Sequence, residues 1–163
     1  MRKFLVPATI LASIVLLFSC QEKECDQTLR NHAGVSFYSV QAGNPADSVL
    51  DTLIVYGITR EDSLLYDSAS NRASVFLPLD PSRDFSRFVF QFNSLADTIE
   101  INYKREEKFV SHACGFVTRF HIRQSTTTHN HFDSITTVNP IVTLNENETH
   151  FNIYLSPADT SGL

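Results

Sequence analysis

The sequence predicts an all-β chain folded as an antiparallel immunoglobulin-like β-sandwich, with a closed β-barrel as the alternative, and three observations predict it. Apolar and polar residues alternate at period two, most cleanly over Phe85 to Asn93, where Phe88, Phe90 and Phe92 face one way and Arg87, Val89 and Gln91 the other. No window after Cys20 long enough for a helix carries a capped 3.6-residue apolar period. Turn residues at Gly43-Asn44-Pro45, Leu79-Asp80-Pro81 and Asn139-Pro140 divide the chain into short strand-length pieces. There is no Trp, so the buried tryptophan of true immunoglobulin domains is missing and the likeness is one of architecture.

Before these strands comes a leader. Arg2 and Lys3 form a positive start, and Phe4 to Phe18 is an apolar run broken by Pro7, Thr9 and Ser13. The run is shorter than the roughly 20 residues of a spanning helix, and the polar stretch Gln21-Glu22-Lys23-Glu24 follows it. Leu17-Phe18-Ser19-Cys20 reads as a lipobox. Residues 1–19 are therefore expected to be a lipoprotein signal peptide, with Cys20 acylated as the new N-terminus and its chains holding the protein in a membrane. An uncleaved anchor helix and an ordinary secretory signal are the alternatives. Residues 20–33 read as a polar tether, and 34–163 as one domain, the natural count at this length.

The expected strands follow in order. Val35 to Gln41, Val49 to Tyr56, Leu64 to Tyr66 and Ala73 to Leu77 come first. Phe85 to Asn93 and the alternating Ile99, Ile101 and Tyr103 form a hairpin around Asn93-Ser94-Leu95-Ala96-Asp97. Phe116, Thr118, Phe120 and Ile122 alternate with Val117, Arg119, His121 and Arg123 in a third long strand, whose apolar face begins at Phe116. Phe132 to Val138, Ile141 to Leu144 and Thr149 to Leu155 complete the set.

Charge narrows the function classes. The 163 residues hold 13 Lys and Arg against 18 Asp and Glu, a net charge of −5, and loss of the leader with Arg2 and Lys3 makes the remainder more acidic. Nucleic acid and an electrostatic grip on anionic headgroups both call for a basic face, so neither is expected from the overall balance. The acyl chains would supply the membrane binding.

Catalysis finds no motif: Gly-x-Ser-x-Gly, His-Glu-x-x-His, a phosphate loop and a dinucleotide fingerprint are all absent from the sequence. Cys114 near His112 resembles a thiol and its base, but an oxidising compartment and a second cysteine favour a disulfide. His121, His129 and His131 could converge on zinc or copper, although nothing supplies the spacing of a structural zinc site and loop-tip histidines are ordinarily solvated. No enzyme activity, cofactor or metal is expected.

With Cys20 consumed by acylation, Cys25 and Cys114 remain as an even pair, expected to form a disulfide. The competing reading is two free thiols. Closing this loop, a separation of 89 residues, would contribute ~4.6 kcal/mol on the chain-entropy account.

Leu53-Ile54-Val55-Tyr56-Gly57, Asp62-Ser63-Leu64-Leu65-Tyr66, Leu77-Pro78-Leu79-Asp80, Asp97 to Tyr103, Cys114-Gly115-Phe116 and Ile135 to Pro140 together resemble a β-rich lipoprotein family of unknown function from Bacteroidetes. That resemblance implies the lipid anchor and the β fold, and brings no catalytic or binding residue. Asp followed by Ser or Thr and an apolar residue, the O-glycosylation signal of such envelope proteins, recurs at Ser48, Thr52, Ser63, Ser68, Thr98 and Ser134 where ~1 match is expected by chance. Asp-Ser and Asp-Thr equally suit turns, as does the Asn147-Glu148-Thr149 sequon. The expected function is a non-enzymatic envelope lipoprotein at the outer membrane, acting as a structural or protein-interaction module with an envelope protein partner. A glycan- or small-ligand-binding lipoprotein is the alternative. Gln21 after Cys20 favours the outer membrane, with the periplasmic or surface face left open.

Overall fold

The computed structural model describes residue 25 and residues 31–41, 44–92, 94–144 and 147–156. The expected signal peptide 1–19, the expected acylation at Cys20 and most of the tether 20–33 lie outside the described residues. Eleven strands follow one another: β1 (His32–Gln41), β2 (Asn44–Asp47), β3 (Leu53–Gly57), β4 (Leu64–Ala69), β5 (Ser74–Pro78), β6 (Phe85–Phe92), β7 (Leu95–Ser111), β8 (Gly115–Thr127), β9 (Phe132–Thr137), β10 (Ile141–Val142) and β11 (Thr149–Leu155).

They form two sheets, which makes the protein a β-sandwich rather than the alternative closed barrel. One runs β2-β1-β11-β9 with β5 also on β1, and the other runs β10-β8-β7-β6-β3-β4. Every pairing is antiparallel except β1 with β11. That exception departs from the purely antiparallel expectation. A parallel pair needs a long connection, and here nearly the whole domain lies between its two members.

Period-two patterning places the core. Phe88, Phe90 and Phe92 of β6, Ile99, Ile101 and Tyr103 of β7, and Phe151, Ile153 and Leu155 of β11 are all buried. Phenylalanine rings meet at the centre of the core. Phe90 meets Phe37 of the facing sheet edge-on at 6.2 Å and Phe132 at 5.6 Å, arrangements that aromatic quadrupoles favour. Each such burial contributes ~1.5–3 kcal/mol relative to exposure.

Four local expectations are corrected. Asn44-Pro45, read as punctuation, starts the short β2, which tolerates proline because its only strand neighbour is β1. The strand expected from Val49 begins at Leu53; upstream, Leu50 makes only an isolated bridge to Arg72. Ile141 to Leu144 shortens to the two residues of β10. Phe116, expected on the core face, is 67% exposed and lines an open cleft instead.

Candidate functional site

β7 changes surroundings along its length. Its pairing with β6 ends at Asn102, opposite Phe85, while its pairing with β8 continues to Ser111. β10 covers β8 only at Phe120 and His121. From Glu106 to Ser111 and back from Gly115 to Arg119, the hairpin is therefore a two-stranded arm, ~20 Å long at strand rise. Residues 104–109 are all exposed.

The arm is held by polar bridges and by Val117, which is buried in its return strand. His121 pairs with Glu106 at 2.7 Å, and Thr118 donates its hydroxyl to Glu107 at 3.2 Å. The His121 hydrogen bond holds the Glu106 carboxyl below the usual range. Arg105 reaches back to Asp84 at 2.9 Å and to the Pro81 carbonyl at 2.8 Å. At the turn, the Cys114 N–H donates to Ser111 Oγ at 3.0 Å, and Gly115 takes φ +69°, which only glycine adopts freely. Cys114 is disulfide-bonded to Cys25 with Cα atoms 5.0 Å apart, within the usual geometric window. The disulfide expected from cysteine arithmetic is present.

At the tip, Phe109 and Phe116 face one another across the strands with centroids 5.3 Å apart. They are 47% and 67% exposed, and the His112 ring lies 5.5 Å from Phe109. Beside the arm is an open cleft of about 350 Å³, lined by Asn31, His32, Pro78, Leu79, Phe116 and Thr118 among others. Asn31 Nδ2 donates to the Thr118 carbonyl. Leu79 and Pro81 on the cleft wall flank Asp80, whose carboxylate accepts the Ser82 N–H and hydroxyl at 2.8 and 2.6 Å. Those two bonds lower its pKa. Tyr103 locks the same loop from below. Its hydroxyl donates to the Asp80 carbonyl at 3.0 Å, accepts the Asp80 N–H at 3.1 Å and meets Ser86 Oγ at 2.7 Å. Burial raises the Tyr103 pKa.

The opposite end of β7 is built on a buried carboxylate. Asp97 is fully buried and accepts hydrogen bonds from Thr128 Oγ1 (2.6 Å) and from the N–H groups of Asn130 (2.9 Å), His131 (2.6 Å) and Phe132 (3.0 Å). Burial pushes its pKa up, and the four hydrogen bonds outweigh that, leaving it below the ordinary value. A signal for this was present: Asp97 is in phase with Ile99, Ile101 and Tyr103, so alternation points it inward. An inward carboxylate must be hydrogen-bonded.

The structure does not gather the three histidines weighed for a metal. His121 is on the arm with Glu106, His129 Nδ1 lies 3.1 Å from the Phe132 carbonyl oxygen, and His131 is buried with its ring 4.1 Å from Phe92. Among the described residues no cluster of three or more His, Cys, Asp or Glu is placed to hold a metal ion. The glycosylation candidates divide by exposure: Thr52, Ser63 and Ser68 are exposed, Thr98 and Ser134 half-buried, and Ser48 only 4% exposed. A transferase acting on the folded chain could not reach Ser48. Thr52 and Ser68 have φ of 55° and 46°, and the Asp51 carboxylate caps the Asn71 N–H at 2.8 Å, so part of the Asp-Ser and Asp-Thr excess serves turns.

A profile of the Family of unknown function (DUF6452) matches residues 52–155, from the approach to β3 through the end of β11. The match contains Cys114 and leaves out Cys25, so the disulfide ties the matched region to the segment before it. No curated protein and no solved structure matches the chain.

Proposed function

Because the chain belongs to the Family of unknown function (DUF6452), membership carries no activity with it, and we propose from its own residues that it is a non-enzymatic lipoprotein of the bacterial envelope, of the Bacteroidetes type. The observation that carries this reading is the cysteine pattern. Cys25 and Cys114 are joined, a bond suited to an oxidising compartment, and the third cysteine, Cys20, follows an apolar leader at a lipobox. Acylation of Cys20 anchors the protein at the outer membrane. The sandwich then serves as a structural or interaction module for an envelope protein. β4 supports that role: it is an edge strand with β3 as its strand neighbour, and its Leu64 and Leu65 are 40% and 38% exposed, as strand addition by a partner requires. Exposed Thr52, Ser63 and Ser68 are its candidate O-glycan sites.

The test is the mass of the N-terminal peptide from native protein, together with fractionation of Cys20→Ser. Acylated Cys20 and loss of membrane association in the variant are expected. An unmodified Cys20, or a variant that stays with the membrane, would sink the reading. The open cleft beside the arm favours a second reading, a glycan- or small-ligand-binding lipoprotein. Its mixed lining of Pro78 and Phe116 with Asn31, His32 and Thr118 suits a sugar, and saturable binding of an envelope oligosaccharide, abolished by Phe116→Ala, would select it.

A further inference from the structure

We infer that the tip of the β7–β8 arm, Phe109 with Phe116, docks on the phospholipid surface that holds the chain, fixing the orientation of the sandwich at the membrane. The inference rests on the acylation of Cys20 proposed above and adds a contact surface to it.

Three observations point to a lipid surface as the occupant. The first is reach. Cys20 is five residues before Cys25, a span of at most ~18 Å, and Cys25 is bonded to Cys114 with Cα atoms 5.0 Å apart. An acylated Cys20 therefore lies within ~23 Å of the arm's turn. The disulfide makes the arm the first part of the folded domain that the anchor reaches.

The second is the apolar tip. Phe116 is the most exposed large hydrophobic residue among those described, and Phe109 is its cross-strand partner. Phe116 opens onto the cleft beside His32 and Pro78. Exposed rings rimmed by polar residues are a contact surface rather than a packing defect, and rings of this kind seat at the boundary of headgroups and acyl chains.

The third is charge. From Glu106 to Arg119 the arm has Lys108 and Arg119 against Glu106 and Glu107, no net charge in a chain of net charge −5. The arm is thus a neutral part of an acidic chain, which anionic headgroups do not repel.

The chain contains no Trp, so a single introduced indole reports on its own position. Full-length protein is purified from membranes, the mass of its N-terminal peptide is measured, and it is reconstituted into phosphatidylcholine vesicles with and without phosphatidylglycerol. Phe116→Trp reports on the tip. Leu95→Trp, at an exposed position at the other end of β7, reports on the far pole. Acyl-chain-brominated lipid is expected to quench Trp at 116 several-fold more than Trp at 95, with a blue-shifted emission that persists when phosphatidylglycerol is present. Equal quenching at the two positions in acylated protein overturns the docking and leaves the lipoprotein reading intact. A missing acyl group overturns both. A blue shift at 116 that follows protein concentration in detergent, without quenching by brominated lipid, assigns the tip to a second copy of the chain and also overturns the proposal.

Discussion

The two ends of β7 solve the same problem by different means. Near Asp97 the strand lies inside a six-stranded sheet, and one buried carboxylate collects a hydroxyl and three backbone N–H groups from the segment 128–132. Near Ser111 the strand has left the sheet and has only β8 beside it. A two-stranded ribbon in water is marginal, and this one is held by a covalent bond, a few polar bridges and a ring pair. One end is ordered by desolvation that forces hydrogen bonding. The other is ordered by linkage to a distant part of the chain, which leaves its apolar groups free for contact.

The largest effect should separate these two modes. Replacing Cys25 and Cys114 by Ser is expected to lower stability by up to ~4.6 kcal/mol, the closure entropy of a long loop, read as a shift of the urea midpoint at unchanged slope. Amide exchange over residues 106–119 should accelerate far more than over 97–101. Uniform acceleration would mean that the arm and sheet form one cooperative unit, and the contrast between them would fail.

Asp97→Asn comes next. An amide keeps the shape but offers one acceptor oxygen where the carboxylate offers two, leaving buried N–H groups of 130–132 short of partners at ~1–3 kcal/mol. The check is thermal unfolding together with exchange of those three amides. A neutral outcome would show that the loop is set by the Phe132 ring rather than by the carboxylate.

Acid should act in two steps at the sandwich and spare the disulfide. His150 is fully buried, its Nδ1 accepts the Gly34 N–H at 3.0 Å, and burial lowers its pKa, with Glu148 at 3.9 Å pulling the other way. Below the ordinary histidine value of ~6.5 the unfolded chain therefore binds a proton that the folded chain refuses. Stability is lost as pH falls from that value towards the folded one. The contribution of Asp97 has the opposite origin and the same direction: its pKa is lowered by folding, so its stabilisation is complete above ~3.9 and disappears as pH falls through the folded value. Urea midpoints measured at about pH 7.5, 5.5 and 3 should fall in that order, and His150→Gln should remove the first step alone.

Tyr103→Phe is the mildest of the set. It removes a hydroxyl bonded to Ser86 and both main-chain groups of Asp80, and about 1 kcal/mol is expected. The change should appear as loosening of the loop beside the cleft. Altered exchange at the arm tip instead would indicate that the two walls of the cleft move together.

The strand pattern, the all-β class, the disulfide partners and the phenylalanine core were legible in the sequence, because each follows from a local periodicity or a count: alternation at period two needs only neighbouring residues, and pairing two cysteines needs only the third to be otherwise used. The parallel β1–β11 pair, the exposure of Phe116 and the separation of His121 from His131 were decided by the tertiary structure. All three depend on how distant segments are brought together. Phe116 continues the phase of Phe120 and Ile122 along the chain, and no local rule says that it opens onto a cleft rather than into the core. Arg105 and Glu107, continuing the alternation beyond the buried Tyr103, were the faint sign of that departure. Asp97 lies between the two cases: its inward phase was readable, but its four donors come from residues 128–132, and only folding brings them to it.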